Sequence, residues 1–501
     1  MIALEPAPAL VRLGSARRVG SLRNWPAAAP TSRVMVVATM VSMVAFFDVT
    51  VVNLALPATE RDLGGGLCLQ QWVVDGYLLA QAAMILPGGS ISDLLGRVPV
   101  IRFGLVAFGA GSVLAATAPS PVMLITGRVV QGLGAAFLVP GSLALINSTF
   151  DRADRPAAIG SWTAWTGTAF ALGPLLGGMA VDLLSWRWIY ALSAVPMVIG
   201  FALTFWLCPV PRPAQRAPLD VAGAALSAAG LTGTVYALIE SRDHGWADAR
   251  VATSLITGIA ALLAFVAWQR RATHPLVPLS LFAIRNFAAA NVTSAFVYGA
   301  ISMGALAISL YTQEVAGYCA TVAGLATLPT PVVSFLFAKR VGKLAARFGP
   351  RVFLTVGPTL AGFGLLLIRP GHGFDIVTHL LPGTIVVAIG SVLTLTPLAA
   401  ASLGSVDPAR SGVAAALQNA VGRTSALSSV ACVGLITAGT LTDSSFARLL
   451  QVAAGLYFIG ALVGARFVTK PMGHAETPCG NETSAIGDRP MTLVEARSAA
   501  A

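Results

Sequence analysis

Charge is what this sequence has least of. Asp, Glu, Lys and Arg together make up 11% of its 501 residues, against roughly a quarter in soluble domains. With 56% hydrophobic residues, the chain has far more apolar surface than a water-soluble core of this size can use. Cysteine is sparse as well. Cys68, Cys208, Cys319, Cys432 and Cys479 show no paired spacing, which excludes a cysteine metal motif and a disulfide framework. A Cys68–Cys319 bridge between two outer loops is the one conceivable pairing. The histidines, His244, His274, His372, His379 and His474, fall in loops, at a span edge or in the C-terminal tail, so neither a metal site nor an intramembrane histidine relay is expected. A Gly-x-x-x-x-Gly-Lys-Ser/Thr phosphate loop is absent too, so nucleotide is not the energy source. No metal and no cofactor is expected. Acid falls short of base, 21 residues against 32, for a net charge of +11, yet the bases sit in short loops rather than in one patch. That is the pattern of membrane topology and not of nucleic-acid binding.

What the chain has in abundance is apolar runs. A span needs about 20 apolar residues to cross roughly 30 Å of hydrocarbon, and fourteen stretches qualify: 34–56, 71–91, 100–118, 122–146, 157–181, 188–208, 220–240, 251–269, 287–310, 321–338, 352–369, 376–400, 411–439 and 448–469. The run from Val34 to Leu56 is too long for the core of a secretory signal and lacks a small-residue cleavage site after it, so it reads as the first span. With the N-terminus inside, six of the Lys and Arg residues fall outside, Arg128 and Arg423 lie within spans, and the other 24 are on the inner side or its edge. This asymmetry places both termini in the cytoplasm of a cell-membrane protein. The fold class expected is all-α and integral to the membrane.

The order of the chain repeats. Gly89-Ser-Ile-Ser-Asp93-Leu-Leu-Gly96-Arg97 follows the second span, and Gly342-Lys-Leu-Ala-Ala-Arg347-Phe-Gly349-Pro-Arg351 follows the tenth. Each is a glycine, a charged turn and a second glycine. The 253-residue offset maps spans 1–6 onto spans 9–14 and leaves spans 7 and 8 as an insertion. The expected organisation is a tail (1–33), a six-helix bundle (34–208), a linker with two peripheral helices (209–286), a second bundle (287–469) and a tail (470–501). Two related bundles around a central cavity form a transporter architecture.

Three charges stand where hydrocarbon should exclude them. Asp48, Asp75 and Arg128 all fall in the outer half of the first bundle, and intramembrane charges of this kind line ion or substrate paths. Arg128, Gln131 and Gly132 share a face of span 4. Arg128 is either a structural ion-pair member held by Asp48 or Asp75, or a participant in proton transfer. Asp75 has three open readings: a second proton site, a charge for cationic substrates, or an interfacial acid that reaches water. In the second bundle Asn419 and Arg423 share a face of span 13, and no acidic partner for Arg423 is evident. Glu240 and Glu314 read as surface-level acids. The aromatics Phe46, Tyr77, Trp162, Trp165 and Tyr298 could line an apolar pocket, or face lipid or core.

The loop Gly89, Asp93, Gly96, Arg97 resembles the signature of the major facilitator superfamily, although Leu94 and Val98 stand where that family usually has bases; Arg102 could supply part of the missing charge. Val49-Thr50-Val-Val-Asn53-Leu-Ala-Leu-Pro57, preceded by Asp48, resembles the first-span motif of the fourteen-helix drug:proton antiporters. Arg128-Val-Val-Gln131-Gly132-Leu-Gly134 is similar to the superfamily's fourth-span motif. Gly160, Gly173-Pro174 and Gly177-Gly178, with Ala169 in place of a glycine, resemble the fifth-span antiporter motif. Ser185-Trp-Arg-Trp188 with Pro196 is similar to the junction before span 6. The resemblance implies a major facilitator fold, two six-helix bundles plus two inserted helices. It also implies a non-enzymatic exporter, a monomer of the inner membrane driven by proton motive force and taking amphipathic drugs or antibiotics. On it, Asp48 and Arg128 would couple protons; Asp75 stands where that family commonly has a small polar residue and is the further candidate for proton coupling. Thr50, Asn53, Tyr77, Gln131, Trp165, Asn419 and Arg423 would line the substrate cavity. Gly89, Asp93, Gly96, Arg97, Gly173, Pro174, Gly177 and Gly178 would serve gating. A nutrient or metabolite symporter of the same fold is the alternative, and a polytopic membrane enzyme a more distant one, since no His, Asp and Cys cluster marks either membrane face.

Overall fold

A computed structural model describes residues 30–151, 154–207, 219–407 and 410–469. Both expected tails lie outside the described residues, apart from residues 30–33 at the start of the first helix. The described residues hold helices and no strand. The first bundle comprises α1 (Pro30–Leu63), α2 (Gly66–Leu95), α3 (Arg97–Ala116), α4 (Pro121–Thr149), α5 (Arg155–Leu183) and α6 (Arg187–Leu203). Then come α7 (Val221–His244) and α8 (Ala249–Gln269). The second bundle is α9 (Arg285–Leu310), α10 (Ala320–Thr327) continued by α11 (Pro329–Phe348), α12 (Pro350–Leu366), α13 (Leu381–Leu403), α14 (Ser411–Ala431) extended by α15 (Val433–Thr437), and α16 (Asp443–Phe467).

Each of the fourteen expected stretches is largely helical over its described residues, but among the described residues twelve helical segments meet the length and hydropathy of a span. The two that fall short have physical reasons. Gln70, Gln71, Asp75 and Gln81 interrupt the apolar run of α2, and α12 is apolar but 17 residues long.

The internal repeat appears in the backbone. Gly96 joins α2 directly to α3 at φ 99°, and Gly349 joins α11 to α12 at φ 83°, a region that glycine enters without steric cost. The charged turn is therefore shorter than the sequence suggests: α2 runs to Leu95 and α11 to Phe348, so Gly89, Gly342 and Lys343 are helical. The same 253-residue offset relates Gly104 and Gly111 of α3 to Gly357 and Gly364 of α12. At each of the four, a Cβ would stand within about 3 Å of the neighbouring helix, α4 or α13. Small residues here let the helices of a bundle touch through their backbones where no hydrophobic force draws them together.

The face on which α1 begins and α16 ends is here the terminal face, and the opposite one the far face. Helix α8 packs chiefly on α7, with Phe265 reaching the cluster around Leu281, Phe287 and Leu417, while α7 lies against α2 and also reaches α14 and α15. The inserted pair is thus not wholly peripheral, because α7 straps the seam between the bundles. Asp220 ties the pair together at its terminal end. It caps α7 at the Gly223 N–H (2.8 Å) and accepts from Trp268 Nε1 and Gln269 Nε2 of α8 (2.8 Å each). Burial alone would raise its pKa, but these donors outweigh it and hold the carboxyl below the usual carboxylate range.

Candidate functional site

Arg128 is the centre of the first bundle. Its Nη1 donates to Asp48 Oδ2 and Gln131 Oε1, and its Nε to the Val73 carbonyl, each at 2.8 Å. Gln131 Nε2 donates onward to Ser112 Oγ at 2.8 Å, and Ser112 to the Phe108 carbonyl at 2.9 Å. The guanidinium lies 4.5 Å from the centre of the Tyr77 ring and 5.8 Å from that of Tyr190, a cation–π arrangement that adds to the pairing. Asp48 and Gln131 are fully buried, and Arg128 is 2% exposed. Asp48 Oδ1 has no hydrogen-bond partner among the described residues, which leaves one face of a paired carboxylate able to take a proton. Of the two candidate partners for Arg128, the structure selects Asp48. Ser112, Tyr190 and the Val73 carbonyl escaped the sequence reading, since nothing in their spacing marks them as arginine partners.

The expected cavity residues divide. Asn419, Arg423, Ala426 and Val430 follow one line of α14, exposed at Asn419, half-buried at Arg423 and buried from Ala426 on. Along that line burial deepens towards the far face. No carboxylate lies within ion-pair distance of Arg423 among the described residues, and it sits within electrostatic reach of the Tyr77 and Tyr298 hydroxyls. Tyr77 is 1% exposed and so is buried within reach of both Arg128 and Arg423. On α5, Gly160 and Gly167 have open space where a Cβ would stand.

Two placements are corrected, those of Trp165 and Thr50. Trp165 shares an exposed stripe with Leu172, Leu176, Met179 and Leu183, which are roughly one helical turn or two apart. This stripe lies apart from the positions Gly173, Gly177 and Gly178 through which α5 meets α1 and α10, so Trp165 is turned away from the neighbouring helices. Thr50 donates to its own Phe47 carbonyl at 2.8 Å and fills the notch over Gly173, so it packs α1 against α5. Asn53 contributes its carbonyl to Ser309 across the bundles at 2.8 Å.

The far face is sealed. Gln71 of α2 donates to the Val430 and Ala431 carbonyls of α14 (2.8 and 3.0 Å), Gln70 to Glu314, and Ser309 of α9 to Asn53 of α1. Glu314 is thus a bundle-to-bundle acceptor rather than a mere surface acid, and Glu240 accepts from Trp72 Nε1 at 2.8 Å and from Cys68 Sγ. Asp182 of α5 accepts the Ala320 and Thr321 N–H groups that open α10 (3.0 and 2.7 Å), capping a helix of the opposite bundle. The glycines of α5 serve two neighbours. A Cβ on Gly177 would meet Val51 of α1 at 2.8 Å, and one on Gly178 would meet the Ala320 carbonyl and Thr321 Cα of α10 at 2.6 Å. Against Pro174, Gly324 leaves the same close approach from the other side. Gly178→Leu is therefore expected to block far-face closure while leaving the α1–α5 packing intact. Cysteine-reactive labelling of Cys432, which is half-buried next to the Gln71 contact on α14, should rise severalfold from the far side in this variant, and unchanged labelling would show that the seal tolerates the side chain.

At the terminal face, Arg97 Nη1 donates to the Ala144 carbonyl at 2.6 Å, tying the α2–α3 turn to α4. The side chain of Asp93 lies outside the described residues. Val98 is buried in the first bundle's core, which explains why no base stands there. Arg102 is engaged elsewhere, donating to Thr204 Oγ1 (2.9 Å) and the Thr204 carbonyl (3.1 Å) and stacking on Phe205. It is not a substitute for the missing clamp. Cys68 lies in the first turn of α2 and not in a loop, and Cys68 and Cys319 are both free.

The family model of the Major Facilitator Superfamily matches residues 38–430. The chain belongs to the major facilitator superfamily. It is 34% identical to the puromycin resistance protein pur8 of Streptomyces alboniger over 81% of each chain. It is 34% identical to the multidrug resistance protein Stp of Mycobacterium tuberculosis over 76% of this chain and 71% of that one. Against the cephamycin export protein CmcT of Amycolatopsis lactamdurans the identity is 33%, over 77% of this chain and 80% of the other. The fold is shared with a peptide transporter POT in complex with sulfate (TM-score 0.65, 17% identity, 86% of this chain and 93% of that one). It is shared also with the xylose transporter XylE from E. coli in a partially occluded inward open conformation (TM-score 0.62, 14% identity, 89% and 99%). The protein is a multi-pass membrane transporter and not an enzyme.

Proposed function

We propose that this major facilitator exports amphipathic drugs or antibiotics in exchange for protons, by alternating access between its two bundles. The drug-export class is supported by relatives named for resistance and export, pur8, Stp and CmcT, each at least 33% identical over most of its length. The observation that carries the coupling is the Asp48–Arg128 pair. Its carboxylate, at 0% exposure, is held at 2.8 Å by one arginine with its second oxygen free, and the Tyr77 ring packs on that arginine. Binding of a proton loosens that pair, and access alternates as the pair re-forms.

On this reading the fourteen helical stretches are fourteen spans, both termini are cytoplasmic, the far face is extracellular, and the chain works as a monomer in the cell membrane. The conformation is then inward-facing: sealed outside by the Gln71 and Asp182 contacts and open inside along Asn419 and Arg423. Protonation of Asp48 and binding of substrate alternate, so that each proton entering is exchanged for substrate leaving. No nucleotide and no cofactor takes part.

The test is transport by the purified protein in proteoliposomes. An imposed pH gradient, acid on the far side, should drive a dye-like amphipathic cation or puromycin from the terminal side to the far side against its gradient, and substrate addition should release protons. Accumulation of a sugar or organic acid together with protons would make it a symporter and overturn the reading.

A further inference from the structure

Asp75 takes no part in the Asp48–Arg128 exchange, and its surroundings assign it other work. It lies on α2 one turn inward of Gln71 and on the same face, by the i, i+4 spacing. That face is closed on α14, because Gln71 is bonded to the Val430 and Ala431 carbonyls, and Asp75 is within electrostatic reach of the Cys432 thiol that ends α14. Its side chain is 0% exposed, and neither carboxyl oxygen has a hydrogen-bond partner among the described residues.

Glu60, Arg61 and Asp62 of α1 and Arg242, Asp243 and His244 of α7 lie in the last turns of those helices, and the ionisable groups deeper in the neighbouring helices are committed elsewhere. Arg128 of α4 is bonded to Asp48 of α1 and to the Val73 carbonyl. Glu240 of α7 accepts from Trp72 and Cys68, and Arg423 of α14 lies towards Tyr77. Arg97 and Arg102 of α3 sit at its terminal-face end, and α15 brings no ionisable side chain. A carboxylate at Asp75 would be an uncompensated charge in a dry seam, whereas a neutral acid is tolerated there.

We propose that Asp75 is a proton-binding latch of the far-face seal, neutral while α2 and α14 are closed and ionised when they part and admit water. The closed seam holds one more proton than the open one, so acid favours closure and rising pH favours opening. Asp75 then sets the pH at which the far face opens, a role separate from the proton exchange at Asp48. The inference rests on the alternating-access reading above, but its test needs neither substrate nor gradient, so the two can fail independently.

The experiment measures the distance between spin-labelled unnatural amino acids at Val122, at the far end of α4, and Thr440, beyond α15, both exposed. The full chain is used in lipid nanodiscs with its native cysteines in place. Between about pH 5 and about pH 9 the unsubstituted protein should shift from a short to a longer distance as its carboxyl ionises. Asp75→Asn should remain short throughout, with an open fraction at the alkaline end at least about tenfold lower. Asp48→Asn should keep the shift. Asp75→Glu, which retains an acid, should show the shift at a displaced midpoint, and it serves as the measurement if Asp75→Asn does not fold. A distance independent of pH in the unsubstituted protein, an unaltered shift in Asp75→Asn or an unmoved midpoint in Asp75→Glu would each overturn the proposal.

Discussion

Arg128→Ala is expected to abolish export and to leave a protein that melts well below the unsubstituted one. The substitution removes three hydrogen bonds at once and strands Asp48 at 0% exposure with no donor. Breaking a buried pair by deleting one member costs about 3–5 kcal/mol, because the surviving charge is left uncompensated. Gln131 Oε1 also loses its donor, at roughly 1–3 kcal/mol for a buried group left unsatisfied, while the Val73 carbonyl loses only the bond it accepts beyond those of its helix. Tyr77 and Tyr190 lose the cation between them. Arg128→Lys keeps the charge but offers a compact ammonium in place of a planar fork, so it cannot serve Asp48, Gln131 and the Val73 carbonyl in their present directions. Partial export is expected there. The checks are thermal melting in detergent and survival of a pump-deficient host on puromycin. Combining Arg128→Gln with Asp48→Asn should recover stability relative to Arg128→Ala without recovering transport. Full resistance in Arg128→Ala would show that the arginine is dispensable and the proposed coupling site misplaced.

Much of this architecture is legible from sequence because a bilayer leaves a chain few options. Every backbone polar group must be satisfied internally, so an apolar run of sufficient length becomes a helix. The repeat was legible for a similar reason: Gly96 and Gly349 stand at the same position in each half, where only a positive-φ residue turns one helix directly into the next. Asp48 and Arg128 announced themselves as charges in hydrocarbon, and the structure pairs them. What could not be read was direction around a helix between distant segments. Trp165 was placed in the cavity on its residue type, whereas its facing is set by the packing of α5 on α1 and α10, which turns Leu172, Leu176 and Trp165 outward. The seal was invisible because it uses main-chain atoms. Gln71 reaches two carbonyls and Asp182 two N–H groups, and a sequence gives no sign of which backbone groups a side chain will meet. Amphipathic patterning likewise cannot show that α7 straps α2 to α14, since lipid and a neighbouring helix present the same apolar environment.

Asp48→Asn is expected to separate binding from coupling. The amide is nearly isosteric, and its oxygen still accepts from Arg128 Nη1, so the network of Arg128, Gln131 and Ser112 keeps its geometry. The amide cannot take or release a proton, and Asp48 Oδ1, the oxygen without a partner, is the position whose chemistry changes. Substrate binding and downhill exchange should therefore survive, while uphill export driven by an imposed pH gradient should fall to the level of empty vesicles and substrate-induced proton release should disappear. Asp48→Glu restores a titratable group but pushes it about one methylene further into a fully packed site, where overpacking typically costs about 1–3 kcal/mol, so reduced but coupled export is expected. The two variants distinguish a coupling role from a structural one. If Asp48 served only to neutralise Arg128, Asn would behave as the more damaging structural change and Glu would be close to the unsubstituted protein in every assay, with proton release scaling with transport in both. Uphill export by Asp48→Asn at a rate near that of the unsubstituted protein would move the coupling site away from this pair. Asp75 would then be the carboxyl to examine, as the other acid of the first bundle buried to 0% exposure among the described residues.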